Sequence, residues 1–196
     1  MSGLLIDPMV SFDLIEREEA NAALSAWEHK HGELHRPIFK EPIDYGVRER
    51  SELVAIITTD TLIRPTQGFD RAQACEISRI CADRAGLCHT ALRLWKQFAF
   101  PAISRAWGIR WVISYQDATR HAGELYRRNS FALIGYSSGG GDPRAAQGTV
   151  NVRRRLIWAW TDDKPALDAR RKLAREDRPH WPTWAGGQNK PRKEAA

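Results

Sequence analysis

Three side chains between residues 114 and 126 are of types that can do chemistry together. Asp117 follows the apolar strand pattern of residues 110–115. A carboxylate at the C-terminal end of a strand, facing the start of a helix, is well placed to act as a general base or to position an amine. It is equally well placed to cap a helix starting at Ala118, so both roles stay open. Tyr126 lies on the next helical pattern, and Ser114 can face the same cavity. The alternative to a chemical role for Tyr126 is a half-buried ring whose hydroxyl lies at the surface.

Two segments earlier in the chain can bind anions. The turn between the strand pattern of residues 74–81 and the helical pattern of residues 88–108 offers backbone amides at a helix N-terminus, which favour an anion. It is the candidate cofactor site, with residues Arg84, Ala85, Gly86, Leu87, Cys88 and His89. Arg79, near the end of the preceding strand, can bind a carboxylate or phosphate through two hydrogen bonds. The alternative for Arg79 is a surface ion pair with Glu76 or Asp83.

The remaining candidate site residues are three histidines and a run of arginines that is followed by tryptophans. The spacing of His29, His31 and His35 matches no standard zinc pattern, which favours surface histidines and predicts no metal site. A run of cations, Arg153, Arg154 and Arg155, lies close to several tryptophans, a combination that suits phosphate contact and base stacking. Trp158 and Trp160 share one face of a strand, so we interpret them as a core-lining pair and keep the arginines as phosphate contacts.

The net charge of +6 is confined to one end of the chain. Residues 1–150 hold 18 Lys and Arg against 18 Asp and Glu, whereas residues 151–196 hold 12 against 6. A neutral body with a basic C-terminal end favours contact with a polyanion such as double-stranded DNA, and the alternative is a solvated tail.

Cysteine content and hydropathy favour a cytoplasmic protein that does not contact a membrane. An odd number of cysteines without a CxxC pair indicates reduced thiols, and the N-terminus shows no secretion signal. No apolar run is long enough to span a membrane.

Periodicity predicts an α/β fold. The strand patterns cover residues 9–14, 43–48, 53–63, 74–81, 110–115, 131–136 and 150–160. Helical patterns cover residues 16–31, 88–108, 121–129 and 164–176, and Pro101 should kink or split the second of them. The order β-α-β-β-β-α-β-α-β-β predicts a mixed sheet with helices on both faces.

The C-terminal part should be less regular. We predict one α/β domain over residues 1–160, followed over residues 161–196 by a basic helix of little amphipathicity and an irregular tail. Trp181 and Trp184 are rare in a purely solvated tail, so they should dock on a surface of this domain or of bound DNA, while residues 186–196 stay mobile.

This element order is similar to that of the GNAT acyltransferase fold. The residues more closely resemble the phage Mom family, GNAT-like proteins that modify adenine in phage DNA. The resemblance rests on residues 31–37, 75–80, 111–117, 121–126, 129–131 and 134–135. GNAT proteins usually hold the coenzyme A pyrophosphate with a Gln/Arg-x-x-Gly-x-Gly/Ala loop, whereas the corresponding turn here has a single Gly.

The resemblance implies transfer of a small acyl or acetamido-type group to the exocyclic amine of adenine, in the host cytoplasm if the chain is phage-encoded. It implies acetyl-CoA or a related glycine-derived donor, a general-acid role for Tyr126, a catalytic role for Asp117 beside Ser114, and substrate contacts by His31, His35 and Arg36. Two alternatives stay open: an ordinary acetyl-CoA-dependent N-acetyltransferase acting on a protein or small amine, and a non-catalytic nucleic-acid-binding protein on a transferase scaffold.

Overall fold

The computed structural model describes residues 9–35, 43–137 and 155–186 of the chain. The chain divides into two compact units, Met1–Ile109 and Arg110–Ala196. Among the described residues no helix is both long and apolar enough to cross a membrane. Cys75, Cys81 and Cys88 all lie within these ranges, and none of them forms a disulfide. The predicted division at residue 160 stays a prediction.

The first unit is built on four antiparallel strands in sequential order. They are β1 (Val10–Ile15), β2 (Asp44–Glu49), β3 (Glu52–Thr61) and β4 (Ala74–Ala82). β3 is buried from Val54 to Asp60, as its run of β-branched residues predicts for a central strand. The hairpin between β2 and β3 turns through Arg50 and Ser51, which both adopt positive φ angles (47° and 69°) and so match the strand twist.

A β-bulge interrupts the pairing of β3 with β4. Thr58 lies opposite Arg79, but the next residue of β3, Thr59, lies opposite Ile77, so Ser78 is the extra residue of β4. A bulge bends its strand and redirects the neighbouring side chains, and bulges are common next to functional sites. Sequence periodicity does not reveal it, because every residue of this stretch is compatible with a regular strand.

Helices pack on both faces of these four strands. α1 (Arg17–Ala26) contributes Ala20, Ala23 and Leu24 to a cluster that includes Ile56. Ala91 of α2 (Leu87–Leu94) belongs instead to a cluster with Ala55, the neighbour of Ile56 on β3. Because adjacent strand residues point to opposite faces, the two helices cover opposite sides, as predicted. α1 is shorter than predicted, because Glu28 adopts a positive φ of 50° that ends the helix before His31.

The long helix predicted over residues 88–108 is continuous but changes its winding. A π-helical turn, Trp95–Ala99, joins α2 to α3 (Phe100–Trp107) immediately before Pro101. Proline lacks an N–H group and its ring crowds the carbonyl four residues earlier, so a wider turn at this point relieves the conflict. The predicted disturbance at Pro101 is confirmed, and Gly108 ends α3 in the left-handed conformation.

The second unit has three antiparallel strands, in the order β5 (Trp111–Asp117), β7 (Arg155–Trp160), β6 (Ala132–Ser137). β5 extends two residues beyond the strand predicted over residues 110–115, because Gln116 and Asp117 pair with Leu156 and Arg155. A short helix, α4 (Glu124–Arg128), lies between β5 and β6 along the chain.

The C-terminal residues are more ordered than predicted. α5 (Lys164–Asp177) buries Leu167 and Ala174 and packs on β6, so its predicted lack of amphipathicity is wrong. The described tail is not irregular, because a 3₁₀ turn (Arg178–His180) and α6 (Thr183–Gly186) follow. The rings of Trp181 and Trp184 both contact Tyr136, at 5.8 and 5.7 Å between centroids, which confirms that they dock on this domain. Residues 187–196 lie outside the described ranges.

One buried ion cluster joins α1 to β2 and β3. Arg17 Nε lies 2.5 Å from Asp44 Oδ2, and Arg17 Nη2 lies 3.0 Å from Asp60 Oδ1. The Thr59 N–H donates to Asp44 Oδ1 at 3.2 Å. Burial raises the pKa of the Asp44 carboxyl from 3.8 to about 6, although Arg17 and the Thr59 amide favour its charged form.

This raised pKa predicts a stability contribution that falls with increasing pH. The folded-state pKa exceeds the unfolded value, so the contribution of Asp44 is complete below about pH 4 and is lost as the pH rises through about 6. Relative to Asp44→Asn, the wild-type free energy of unfolding should therefore decrease by roughly 2–3 kcal/mol across this window. Urea unfolding from pH 4 to 8 measures it, with exposed Asp13→Asn as control; a wild-type advantage that grows with pH would contradict the prediction.

Candidate active site

The candidate site is built on residues of β5 and β7 that lie opposite each other in the sheet. Ser114 lies directly opposite Trp158, and Gln116 lies opposite Leu156 two residues further along. Because residues opposite each other in a sheet point to the same face, Ser114, Gln116 and Trp158 share one side of the sheet. All three are buried.

Tyr126 of α4 meets this face through its hydroxyl. The Ser114 Oγ and Tyr126 Oη atoms lie 2.9 Å apart and share a hydrogen bond in which either can donate. The side chains of residues 114 and 126 are thus in contact, although one residue is on a strand and the other is on a helix. Buried Asn129 helps to end α4, because its Nδ2 donates to the Leu125 carbonyl at 2.7 Å. The structure therefore places one phenol and one serine hydroxyl side by side.

Aromatic rings surround the Tyr126 side chain. Its ring stacks on the Trp158 indole with 5.3 Å between centroids and 15° between planes, and meets Phe131 edge-on at 5.6 Å. The Trp158 Nε1–H donates to Gln116 Oε1 at 2.7 Å, and the Gln116 side-chain amide donates to the His121 carbonyl. Trp158 and Trp160 are buried, as predicted for a core-lining pair. Sequence reasoning missed Gln116, for which the only available signal was its spacing of two from Ser114.

Asp117 occupies the last position of β5 and is half-buried. Strand alternation places it on the face opposite to Ser114. Its Oδ1 accepts hydrogen bonds from the Thr119 N–H at 3.0 Å and from the Thr119 hydroxyl at 2.6 Å. No helix starts at Ala118; a turn follows, and α4 begins only at Glu124. Asp117 thus stabilises the turn after its strand, and its role as a general base stays a prediction.

The turn between β4 and α2 contains the residues predicted to hold a cofactor. Gly86 stands at the helix N-cap with a φ of 91°, and an added Cβ there would meet only open space. The first turn of α2 contains no acidic residue, and Gly86 has no side chain with which to cap it. Arg84 Nη2 pairs with Glu49 at 2.5 Å and Nη1 with Asp83 at 3.2 Å. Burial raises the pKa of the Cys88 thiol to about 11, so this thiol is protonated at neutral pH.

Solved structures that share this arrangement of elements include several N-acetyltransferases. Ard1 from Thermoplasma volcanium superimposes with a TM-score of 0.53 at 8% identity, over 79% of this chain and 98% of that one. Diaminobutyrate acetyltransferase from Paenibacillus lautus, in complex with its substrate and coenzyme A, gives 0.52 at 13% identity, over 78% and 95%. The Escherichia coli ribosomal-protein-S18-alanine N-acetyltransferase gives 0.51 at 13% identity, over 78% and 94%. The chain has the GNAT fold.

The predicted GNAT-like α/β fold is therefore confirmed. No family model matches the sequence, and neither does any curated protein. In the GNAT fold of this chain, Ser114, Gln116, Tyr126 and Trp158 belong to the second unit, and the turn at Gly86 belongs to the first.

Arg79 lies beside the bulge of β4. It is half-buried, and its Nη1 donates to the Ser78 carbonyl at 2.8 Å. Of its two predicted ion-pair partners, Asp83 pairs with Arg84. Binding of a carboxylate or phosphate by Arg79 stays a prediction.

The predicted substrate contacts are distributed over both units. His31 and His35 are exposed; the His29 and His31 rings lie 5.9 Å apart, and His35 Nε2 lies 3.5 Å from a carboxylate oxygen of Glu33. Arg155 begins β7 opposite Asp117 and is half-buried, whereas Arg36, Arg153 and Arg154 lie outside the described residues. Within residues 9–35, 43–137 and 155–186, no group of three or more His, Cys, Asp or Glu residues could hold a metal ion.

Proposed function

We propose that this protein is an acyl-CoA-dependent N-acyltransferase in which Tyr126 is the general acid. The observation that carries the proposal is the 2.9 Å contact between the hydroxyls of Ser114 and Tyr126 within a GNAT fold. Bound acyl-CoA supplies a thioester, whose sulfur leaves as a thiolate when an amine attacks the acyl carbon. As the C–N bond forms and the C–S bond breaks, Tyr126 can donate its proton to this thiolate, and the proton lost by the amine restores the phenol through solvent. Ser114 orients the phenol O–H and can share its proton.

The turn at Gly86 fits the pyrophosphate of such a donor. A helix N-terminus with uncapped amides and no acidic side chain in its first turn favours an anion. The open space beside Gly86 lets a phosphate approach the backbone closely. This role is assigned to the backbone of Gly86, Leu87 and Cys88, because the Arg84 guanidinium is already paired with Glu49 and Asp83.

Calorimetry with coenzyme A and acetyl-CoA tests the donor. We expect binding of both, and a smaller loss of affinity for Arg84→Ala than for Gly86→Asp, because the latter places a carboxylate where the pyrophosphate binds. Thiol release from acetyl-CoA, measured with L-2,4-diaminobutyrate, an N-terminal peptide and an adenine-containing DNA duplex, then tests the acceptor. Absence of both binding and thiol release from the folded protein would refute the proposal.

For the acceptor we propose the exocyclic amine of adenine in double-stranded DNA. Two observations support this choice over a protein or small-amine acceptor. The whole net charge of +6 comes from residues 151–196, and Lys172 and Arg175 of α5 are exposed in that part of the chain. An excess of cations in this part of the sequence favours phosphate contact. The resemblance to the Mom family supports the same acceptor and allows a glycine-derived acyl group in place of acetyl.

Nucleoside mass spectrometry tests this acceptor directly. DNA is isolated from a bacterial host that expresses the soluble protein, and host DNA from cells that express Tyr126→Phe is the matched control. A modified deoxyadenosine that appears only with the wild-type chain is the expected result. Unmodified adenine in vivo, together with acetylation of the peptide or small amine in vitro, would instead assign an ordinary N-acetyltransferase. Salt-dependent DNA binding without thiol release from any acceptor would favour a non-catalytic binding protein.

A further inference from the structure

We infer that Trp158 is a positioning residue that sets the direction of the Tyr126 hydroxyl, an inference that rests on the proposed function. α4 has only five residues, and its side chains point away from a helix too short to be rigid alone. The Tyr126 ring must therefore be oriented by what it packs against. The indole of Trp158 stacks on this ring, with 5.3 Å between centroids and 15° between planes, and this geometry favours one plane for the phenol.

Trp158 can hold another ring in place because its own position is fixed on several sides. It lies in the middle one of the three strands of the second unit, opposite Ser114 on β5 and Leu133 on β6. Its indole N–H donates to Gln116 Oε1, and the Gln116 amide donates to the His121 carbonyl in the segment that leads to α4. The indole therefore connects the sheet to the turn that carries Tyr126.

Gly123 allows this turn to approach the indole. Its φ of 80° is left-handed, and an added Cβ would lie 2.6 Å from Gln116 Oε1 and 2.9 Å from Trp158 Cζ2. A side chain at position 123 would push the start of α4 away from both groups. The close contact brings Tyr126 down onto the indole.

The arrangement fixes the phenol in two ways. The plane of the Tyr126 ring follows the plane of the Trp158 indole, 15° apart, while the hydroxyl at the end of the ring is held by Ser114 at 2.9 Å. Ser114 and Trp158 are direct cross-strand neighbours, so both constraints come from one rigid pair. Loss of the indole removes the stacking that sets the plane of the ring, and the edge-on contact with Phe131 does not replace it, so the O–H can then rotate away from the leaving sulfur.

Substitution of Trp158 by Leu is expected to lower kcat by roughly 30- to 100-fold, because an error of about 1 Å in the position of a proton donor has an effect of this size. The KM for acetyl-CoA should stay within about twofold, since Trp158 does not bind the donor in this scheme. Trp158→Phe keeps a ring for stacking and should restore kcat to within about fivefold of wild type.

The matched control is Trp160→Leu, which removes a buried indole from the same face of the same strand. Trp160 packs on Phe131 at 6.2 Å, so its loss should destabilise the protein to a similar extent while kcat stays within about threefold. The melting temperature of each variant establishes that it is folded at the assay temperature.

A readout independent of turnover is ¹⁹F NMR of protein labelled with 3-fluorotyrosine. The chain has four tyrosines, and Tyr126→Phe identifies the signal of Tyr126. Trp158→Leu should shift this signal by removing the indole ring current, and Trp160→Leu should shift it much less. An unchanged signal in Trp158→Leu would overturn the stacking, and a shifted signal with unchanged kcat would overturn the positioning role. No turnover by the wild-type protein with any acceptor would refute the proposed function, and the positioning role with it.

Discussion

Replacement of Tyr126 by Phe should lower kcat for acyl transfer by about 10²–10³-fold, the usual effect of losing a general acid. The phenyl ring still stacks on Trp158, so the fold and donor affinity should be preserved, and only the proton and the hydrogen bond to Ser114 are lost. Steady-state thiol release from acetyl-CoA, together with calorimetry, measures both quantities. Ser114→Ala should have a smaller effect, because the phenol keeps its proton and loses only its partner.

Tyr136→Phe is the matched control for this experiment. Tyr136 is also a half-buried tyrosine of the second unit, but its ring packs against Trp181 and Trp184. Loss of the Tyr136 hydroxyl should leave kcat unchanged. Equal rates for the wild type and Tyr126→Phe would show that another group protonates the thiolate. A reduced kcat accompanied by lost donor binding would instead assign Tyr126 to binding.

Gly123→Ala should destabilise the protein by roughly 2–4 kcal/mol, through a left-handed backbone and an overpacked contact together. Gly108→Ala separates the two causes. Gly108 has a similar φ of 69°, but an added Cβ there meets nothing within 4 Å, so its substitution should cost only about 1–2 kcal/mol.

Urea unfolding at one pH compares the two glycine variants. Gly123→Ala should also lower kcat, because the added methyl group displaces the turn that holds Tyr126 against the indole. Equal free energies of unfolding for the two variants would mean that the close approach of Gly123 to Gln116 and Trp158 is relaxed at little cost.

The strands were predictable because each carries a local signal. The β-branched run in β3 and the spacing of apolar residues along α2 and α3 depend only on neighbours in sequence, and both patterns were interpreted correctly. The end of α1 was not predictable, because it depends on a positive φ at Glu28, a residue with no special preference for that conformation. The helix α5 was predicted, but its packing and the regular structure of the tail depend on contacts with β6, which is distant in sequence.

Only part of the candidate site was predictable, because a local sequence signal does not reveal contacts between residues that are distant in sequence. Tyr126 and Ser114 were recognisable by residue type and by resemblance, but the partnership of Trp158 with Gln116 joins residues 42 positions apart. Asp117 illustrates the opposite case, since a carboxylate at a strand end has the same local signature whether it acts as a base or stabilises a turn. Only the hydrogen bonds to Thr119 show which contacts it makes.

The strand order of the second unit has a consequence for synthesis on the ribosome. β7 lies between β5 and β6, yet it is the last of the three strands to be translated. Until residues 155–160 emerge, β5 and β6 both lack the strand that lies between them, and each leaves the polar backbone groups of that edge open to pairing with another chain. The first unit meets no such delay, because its four strands pair in the order in which they are made. Nascent chains that stop short of Arg155 should therefore aggregate through the second unit while their first unit is already folded.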